Sequence, residues 1–292
     1  MKSMMKRNTF REIKKSFGRY FAILAIVALG VAFFSGLKIT QSVMVHSADV
    51  YLKNLQFYDY RLVSTLGFTE ENVEALAEKE DVRAAEGAIS AEVLYKDAGE
   101  NERVIKMHSI TEKVNKLKLV AGEMPQSADE CVVDSALFSE DAIGSKLVLS
   151  ENNTTDDLDK FAYKEYTITG LVQSPCYIQF ERGNTSIGNG RISGFAYILK
   201  DGFAVDYDTE IYIKFDEDYD IYSDEYDSYM DAKEADWEAY TKEQADIRYE
   251  KIVKDAQDEL DEKKEELEEK RAEAEAELES AKQQLTDGET EI

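Results

Sequence analysis

The residues able to do chemistry are few and scattered. The two histidines, His46 and His108, stand far apart in the chain, and neither sits among cysteines or acids at metal-ligand spacing. No glycine is followed by lysine, which removes the usual phosphate-cradling loop. No serine occupies a G-x-S-x-G elbow. The nearest approach to a metal site is Asp216, Asp218, Asp220 and Asp227, which fall on positions 1, 3, 5 and 12 of a calcium-loop template. That template needs glycine where Ile221 stands and closes on glutamate rather than aspartate, so a solvated acidic linker is expected instead. The interleaved Tyr219, Tyr222, Tyr226 and Tyr229 mark a passage from strand to helix. Cys131 and Cys176 are the only thiols. An oxidising exterior would permit a bridge, but two cysteines make no disulfide framework, and free structural thiols are expected. These residues predict a protein that is not an enzyme, without catalytic groups, metal or cofactor.

What must be positioned, then, is charge and apolar surface. The chain has 292 residues and a net charge of -26, from 61 acidic against 35 basic residues, a balance that repels nucleic acid. The acid is concentrated from Asp216 to the end, where 30 acidic face 10 basic residues. Before Ser16 the sign reverses, with Lys2, Lys6, Arg7, Arg11, Lys14 and Lys15 against Glu12 alone. Such polarity suits a chain divided between compartments. Tyr20–Leu37 carries no charge over 18 residues, the lower end of what spans a bilayer core as a helix. A cleaved signal peptide would have a shorter apolar run and a small-x-small exit. Ser35–Val50 offers no clear site of that kind, which favours a retained anchor in the lipid bilayer. The basic flank, Arg19 included, predicts a cytoplasmic N-terminus and everything after Leu37 outside the cell, at the bacterial plasma membrane. Ala28, Ala32 and Gly36 repeat every four residues, a spacing that lets transmembrane helices approach closely but is also common by composition. Met5, Phe10, Ile13 and Phe17, set among basic residues, predict an amphipathic helix along the inner membrane face, against anionic lipid or a cytoplasmic protein.

Beyond the span the patterning is mixed. Thr69–Lys79 opens on a capping-type threonine with acids in the first turn, and Val73, Leu76 and Ala77 form a helical stripe. Strands are expected at Ala91–Tyr95, Val104–Ile110, Cys131–Val133, Lys146–Leu149, Tyr166–Leu171, Ser193–Leu199 and Glu210–Phe215. The last alternates as in a half-buried strand. From Ser228 to about Thr286 there is neither glycine nor proline, and the composition favours helix, a rod of about 90 Å at 1.5 Å per residue. Val253, Leu260, Leu267, Ala274 and Ala281 recur every seven, and Leu278 and Leu285 continue a second row. A thin coiled-coil seam results, to be closed by a second strand, unless the helix is simply solvated. Thr286-Asp287-Gly288 is expected to break the helix. The organisation expected is a basic cytoplasmic helix (1–19), a transmembrane helix (20–38), an extracellular α+β domain (39–227) and a long acidic coiled-coil helix (228–292).

Several segments resemble one family. Arg7–Thr40, with Ala28-Leu29-Gly30-Val31-Ala32 at its centre, resembles the first basic helix and first span of FtsX-like permeases. Leu119–Leu137 is similar to that family's G-x-x-P-x-x-x-x-E turn and strand, with Gly122, Pro125 and Glu130 in the motif positions. Ile143–Leu149 and Tyr166–Ile178 resemble the strands that follow, and Leu285–Ile292 resembles the heptads of the long coiled insertion in Firmicute-type members. The resemblance implies the N-terminal portion of an FtsX/MacB-like ABC transporter permease. Its extracellular MacB-like core domain would move with a separate cytoplasmic ATPase, for export or mechanotransmission. Arg11, Lys14, Lys15 and Arg19 would lie on the ATPase side. The family has further spans after its extracellular domain, so a second permease copy or a missing C-terminal permease half is implied as partner. The alternative is a stand-alone single-pass surface protein whose coiled stalk binds a partner or the cell wall.

Overall fold

The computed structural model describes the backbone of residues 2–97 and 99–290 and the side chains of residues 4–97 and 99–282. The chain divides into two units, residues 1–227 and residues 228–292.

The first unit begins with α1 (Lys2–Lys15) and α2 (Phe17–Asn54), parted at Ser16, whose hydroxyl turns back to the Glu12 carbonyl at 2.7 Å. The apolar run Tyr20–Leu37 forms the first part of α2, a helix long and apolar enough to cross a membrane. Lys38 ends the apolar run without ending the helix. The next sixteen residues contain no proline or glycine to stop it, so it continues to Asn54. Only near its C-terminal end does α2 bury side chains, Asp49 and Leu52.

Three strands make one antiparallel sheet in the order β1 (Tyr60–Phe68), β10 (Asp208–Phe215), β2 (Val82–Ala88), with α3 (Glu70–Ala77) between β1 and β2. Thr69 stands at the N-cap of α3 as expected, but the side chain that closes the cap is Asn72, whose Oδ1 accepts the Thr69 N–H and hydroxyl, each at 3.0 Å. The other strands are β3 (Ser90–Lys96), β4 (Glu102–Ser109), β5 (Lys118–Gly122), β6 (Glu130–Asp134), β7 (Lys146–Leu149), β8 (Glu165–Gln173) and β9 (Ile192–Ile198). The short helix α4 (Thr155–Leu158) lies between β7 and β8. Because β7 pairs with both β3 and β8, six strands close into a ring ordered β8-β6-β9-β4-β3-β7, and β5 is added outside on β8. Alternation then sorts side chains to two faces. Val93, Tyr95, Ile105, Met107, Cys131, Tyr166 and Ile198 fill the interior, as small barrels require. Each large apolar side chain there contributes roughly 1.5–3 kcal/mol. Lys106, His108, Asp134, Phe195 and Tyr197 belong to the opposite set of positions on the same strands.

β10 corrects an expectation. Its alternation reads as half-buried, yet every residue from Glu210 to Phe215 is buried. It is the central strand of its sheet, and its polar residues have partners on neighbouring elements.

The second unit is the body of α5 (Asp224–Thr290), a single helix of 67 residues, on the order of 100 Å at 1.5 Å per residue. The break expected at Thr286-Asp287-Gly288 does not occur, for the helix runs through to Thr290. One glycine costs a helix interior about 1 kcal/mol, much less than proline, and the helix absorbs it.

Candidate functional site

The chain reaches the domain through residues 55–59 and leaves it through residues 216–223, and polar contacts fasten the end of α2 to the second segment and Asp59 to β10 and Tyr226. Asp49, buried near the end of α2, accepts the Ile221 N–H at 2.9 Å and pairs with Lys53 at 3.1 Å. Lys53 reaches on to Asp220 at 2.6 Å. Deeper in, Asp59 receives the Lys214 ammonium at 2.9 Å, the Phe215 N–H at 2.9 Å and the Tyr226 hydroxyl at 3.3 Å. The Asp59 and Lys214 side chains are only 5% and 7% exposed, so this pair is shielded from water, whereas Asp220 is 78% exposed. Burial first, then the Asp59 carboxylate, push the Tyr226 phenol up.

A turn at residues 111–116 holds the same place from the side. The Glu86 carboxylate on β2 accepts the N–H groups of Glu112, Lys113 and Val114 at 2.7, 2.8 and 3.1 Å. Asn115, at φ +53°, then accepts the Tyr58 N–H through Oδ1 at 3.1 Å, and its own N–H meets the Gln56 carbonyl at 2.9 Å. The Lys116 N–H bonds the Leu55 carbonyl at 2.8 Å. The segment that follows α2 is therefore fixed by hydrogen bonds to the turn at residues 111–116, to β10 and to Tyr226 in the first turn of α5.

A second polar cluster lies beside β3, β4 and β10. Glu210 is buried and carries Arg61 on both carboxylate oxygens, Nη2 and Nε each at 3.1 Å, with the Ser90 and Tyr212 hydroxyls also donating. Burial opposes its charge, but Ser90, Tyr212 and Arg61 together hold the Glu210 carboxyl below the usual range. His108 contacts the Tyr177 hydroxyl at 2.6 Å and stacks on Tyr197. Burial, with nearby Lys106 adding to it, depresses its pKa to about 3. Asp134 holds Arg182 in a fork, Nε to Oδ2 at 2.7 Å and Nη2 to Oδ1 at 3.0 Å, while the guanidinium sits 5.3 Å from the Phe195 ring. A cavity of about 240 Å³ opens among these groups, with Cys176 on its wall. Burial pushes the Cys176 thiol up to about 11. Both cysteines are free, Cys131 in the barrel interior.

The G-x-x-P-x-x-x-x-E motif has a structural use. Gly122 takes φ +78°, and a Cβ there would meet the Thr169 carbonyl oxygen. Pro125 is buried. Glu130 Oε2 accepts the N–H groups of Gln126 and Ser127 at 2.7 and 3.2 Å, closing the turn. The acids of the calcium-loop template do not converge, and among the described residues no group of His, Cys, Asp or Glu is arranged to hold a metal.

The residues to which the sequence assigned ATPase-side, membrane-packing and coiled-coil roles lie apart from these clusters. Arg11, Lys14 and Lys15 are exposed on α1, and Arg19 is exposed in the first turns of α2. Ala28, Ala32 and Gly36 line up exposed along α2. Val253, Leu260, Leu267, Ala274, Leu278 and Ala281 are exposed along α5, and the Leu285 side chain lies outside the described residues. Sequence reasoning missed Asp59, Arg61, Glu86, Asp134, Arg182, Glu210 and Lys214. The one available signal was the pair of charges in Glu210–Phe215, which alternation assigned to solvent.

The chain is similar to a number of solved structures over about half its length, two of them as follows. One is the extracellular domain of the noncanonic ABC-type transporter YknZ from Gram-positive bacteria, at 12% identity over 53% of this chain and 76% of that chain, with a TM-score of 0.35. The other is the periplasmic region of MacB from Actinobacillus actinomycetemcomitans, at 14% identity over 55% of this chain and 69% of that chain, with a TM-score of 0.35. No family model and no curated protein matches the chain.

Proposed function

We propose that the chain is the N-terminal part of an FtsX-like ABC transporter permease, anchored in the bacterial plasma membrane by α2. In this reading the N-terminus is cytoplasmic and the domain of residues 39–227 is outside. α1, with Arg11, Lys14, Lys15 and Arg19, faces a cytoplasmic ABC ATPase. A second permease copy or the remaining permease half completes the pore-side assembly, and Ala28, Ala32 and Gly36 offer a face on which neighbouring helices pack closely. The ordered motifs from Arg7 to Ile178 supply the family. The observation that carries the coupling role is the fastening of α2 to the domain. Asp49 and Lys53 on the helix bond residues 220–221, and the following residues are pinned by Asn115 and Asp59. A displacement of α2 is thereby handed to the domain without a slack linker between them.

The test is site-specific photo-crosslinking of the full chain in its native membrane, from residues 11, 14 and 15 on α1. A crosslinked P-loop ATPase from these positions, and none from residue 119 on exposed β5, is the expected result. Crosslinks to lipid alone, in a chain shown by carbonate extraction to be inserted, would overturn the ATPase coupling and leave the single-pass surface protein.

A further inference from the structure

The cavity beside β3 and β4 contains charges bound by short hydrogen-bonded ion pairs and two, Lys106 and Glu92, that are held more loosely. Arg61 is engaged on both oxygens of Glu210, and Arg182 on both oxygens of Asp134. Lys106 and Glu92 remain. They are direct partners in the β3–β4 register, a position where opposite charges normally close on one another. No ion pair joins them. The Lys106 ammonium, 19% exposed, forms an ion pair with Glu210 Oε1 at 3.9 Å, a distance too long for a hydrogen bond, so its donors stay open to a ligand. Glu210 has its acceptor positions filled by Arg61, Ser90 and Tyr212. Glu92 receives one hydrogen bond, from the Thr185 hydroxyl at 2.6 Å. Both residues line the cavity.

An ammonium with three donors and a carboxylate with room for further donors thus look into one small, half-enclosed space. Both are partly exposed, so water completes them in the free protein, and a ligand that brings partners for both would displace that water. A bare anion would satisfy Lys106 but lie beside Glu92, and a bare cation would face the reverse difficulty. A molecule carrying both signs a few bonds apart satisfies both. The cavity, about 240 Å³, falls below the roughly 300–1,000 Å³ of drug-sized sites. The Tyr58, Tyr177 and Tyr212 rings on its wall offer apolar surface beside the charges. We infer that this cavity binds a small zwitterion of amino-acid size, its carboxylate on Lys106 and its ammonium on Glu92. The site is built from the domain's own strands and is independent of the membrane role proposed above.

The experiment uses the full chain in detergent micelles, with saturation-transfer NMR and calorimetric titration against glycine, L-alanine and L-glutamine. Acetate and methylammonium, each carrying one half of the recognised chemistry, are the controls. At least one amino acid is expected to bind about tenfold more tightly than either control. Lys106→Met and Glu92→Gln, with thermal transitions close to that of the unaltered chain, are each expected to weaken it by about tenfold or more. Three results would overturn the inference: no amino acid bound at about 20 mM, acetate or methylammonium bound as well as the amino acids, or binding unchanged in both variants. If either variant fails to fold, the comparison of amino acids with the two half-ligands on the unaltered chain decides alone.

Discussion

Asp59→Asn tests how the domain is held at its base. The substitution keeps the shape and one acceptor for the Phe215 N–H, but removes the charge that faces Lys214 at 2.9 Å. With the two side chains 5% and 7% exposed, water cannot replace the lost partner, and a buried ammonium is left uncompensated. Removing one member of a buried pair costs about 3–5 kcal/mol. Asp59→Ala adds an orphaned Phe215 N–H, worth about 1–3 kcal/mol, though the two losses overlap. Against the roughly 5–15 kcal/mol of an ordinary domain, either change brings the fold near its limit. The double variant Asp59→Asn, Lys214→Met carries no buried charge, and it is expected to recover most of the loss, ending within about 1–2 kcal/mol of the unaltered chain. The assay is urea denaturation of the full chain in micelles, followed by near-ultraviolet circular dichroism from the tyrosine-rich domain. A cost below about 1 kcal/mol for Asp59→Asn, or a double variant as unstable as the two single changes added together, would refute the reasoning.

Three further outcomes are expected. His108 has a folded pKa depressed to about 3 by burial, against about 6.5 unfolded, so the neutral form is the one the fold accepts. Its contribution is fully present above about pH 6.5 and is lost as pH falls toward 3, by as much as about 1.4 kcal/mol per pH unit. His108→Phe should flatten the denaturation profile between about pH 6.5 and 4.5, and an unchanged slope would assign the loss to other groups. Gly122→Ala, which forces a Cβ at φ +78° against the Thr169 carbonyl, should cost about 2–3 kcal/mol; a melting temperature unmoved by it would mean that the turn is free to rearrange. Deleting residues 20–37 should move the chain from the membrane pellet to the soluble fraction on cell fractionation, and retention in the pellet would rule out α2 as the anchor.

The fold class was legible because its strongest signals are local. The apolar run in α2, the glycine- and proline-free stretch of α5 and the strands β3, β4, β6, β7, β8, β9 and β10 all stand out by period and composition. β2 was not legible, since VRAAEGA is low in β-branched residues and takes its conformation from pairing with β10. β5 escaped because it is a short added strand with Leu119 and Val120 exposed, giving no alternation to read. β1 is interrupted by a register shift between Val63 and Phe68, around Gly67 at φ +71°, which breaks its pattern. The turn closed by Glu130 could be seen as a motif, because its residues are neighbours. The Asp59–Lys214 pair could not, its members standing 155 positions apart. A lone aspartate before a strand and a lysine within one look like ordinary surface charges until the topology sets them side by side.

The two kinds of contact at the base of the domain differ in what they can resist. Lys53–Asp220 is exposed on the aspartate side, and pairs of that kind contribute between about 0 and 1 kcal/mol and weaken in salt. It can re-form in a new geometry at little cost. Asp59–Lys214 is sealed, and separating it would strand both charges away from water. If α2 moves, the first contact yields before the second. Motion should therefore begin between Asp49 and Asp220 and stop at Asp59, where Asn115 and the Glu86-bound turn add further restraint. A bend located there would leave the β1-β10-β2 sheet intact and carry it as one body. Asp220→Asn, which leaves the Lys53–Asp49 pair in place, should loosen the outer junction while changing domain stability by less than about 1 kcal/mol. If spin labels on α2 and on the sheet showed equal mobility with and without the Asp220 charge, the flexible point would lie elsewhere.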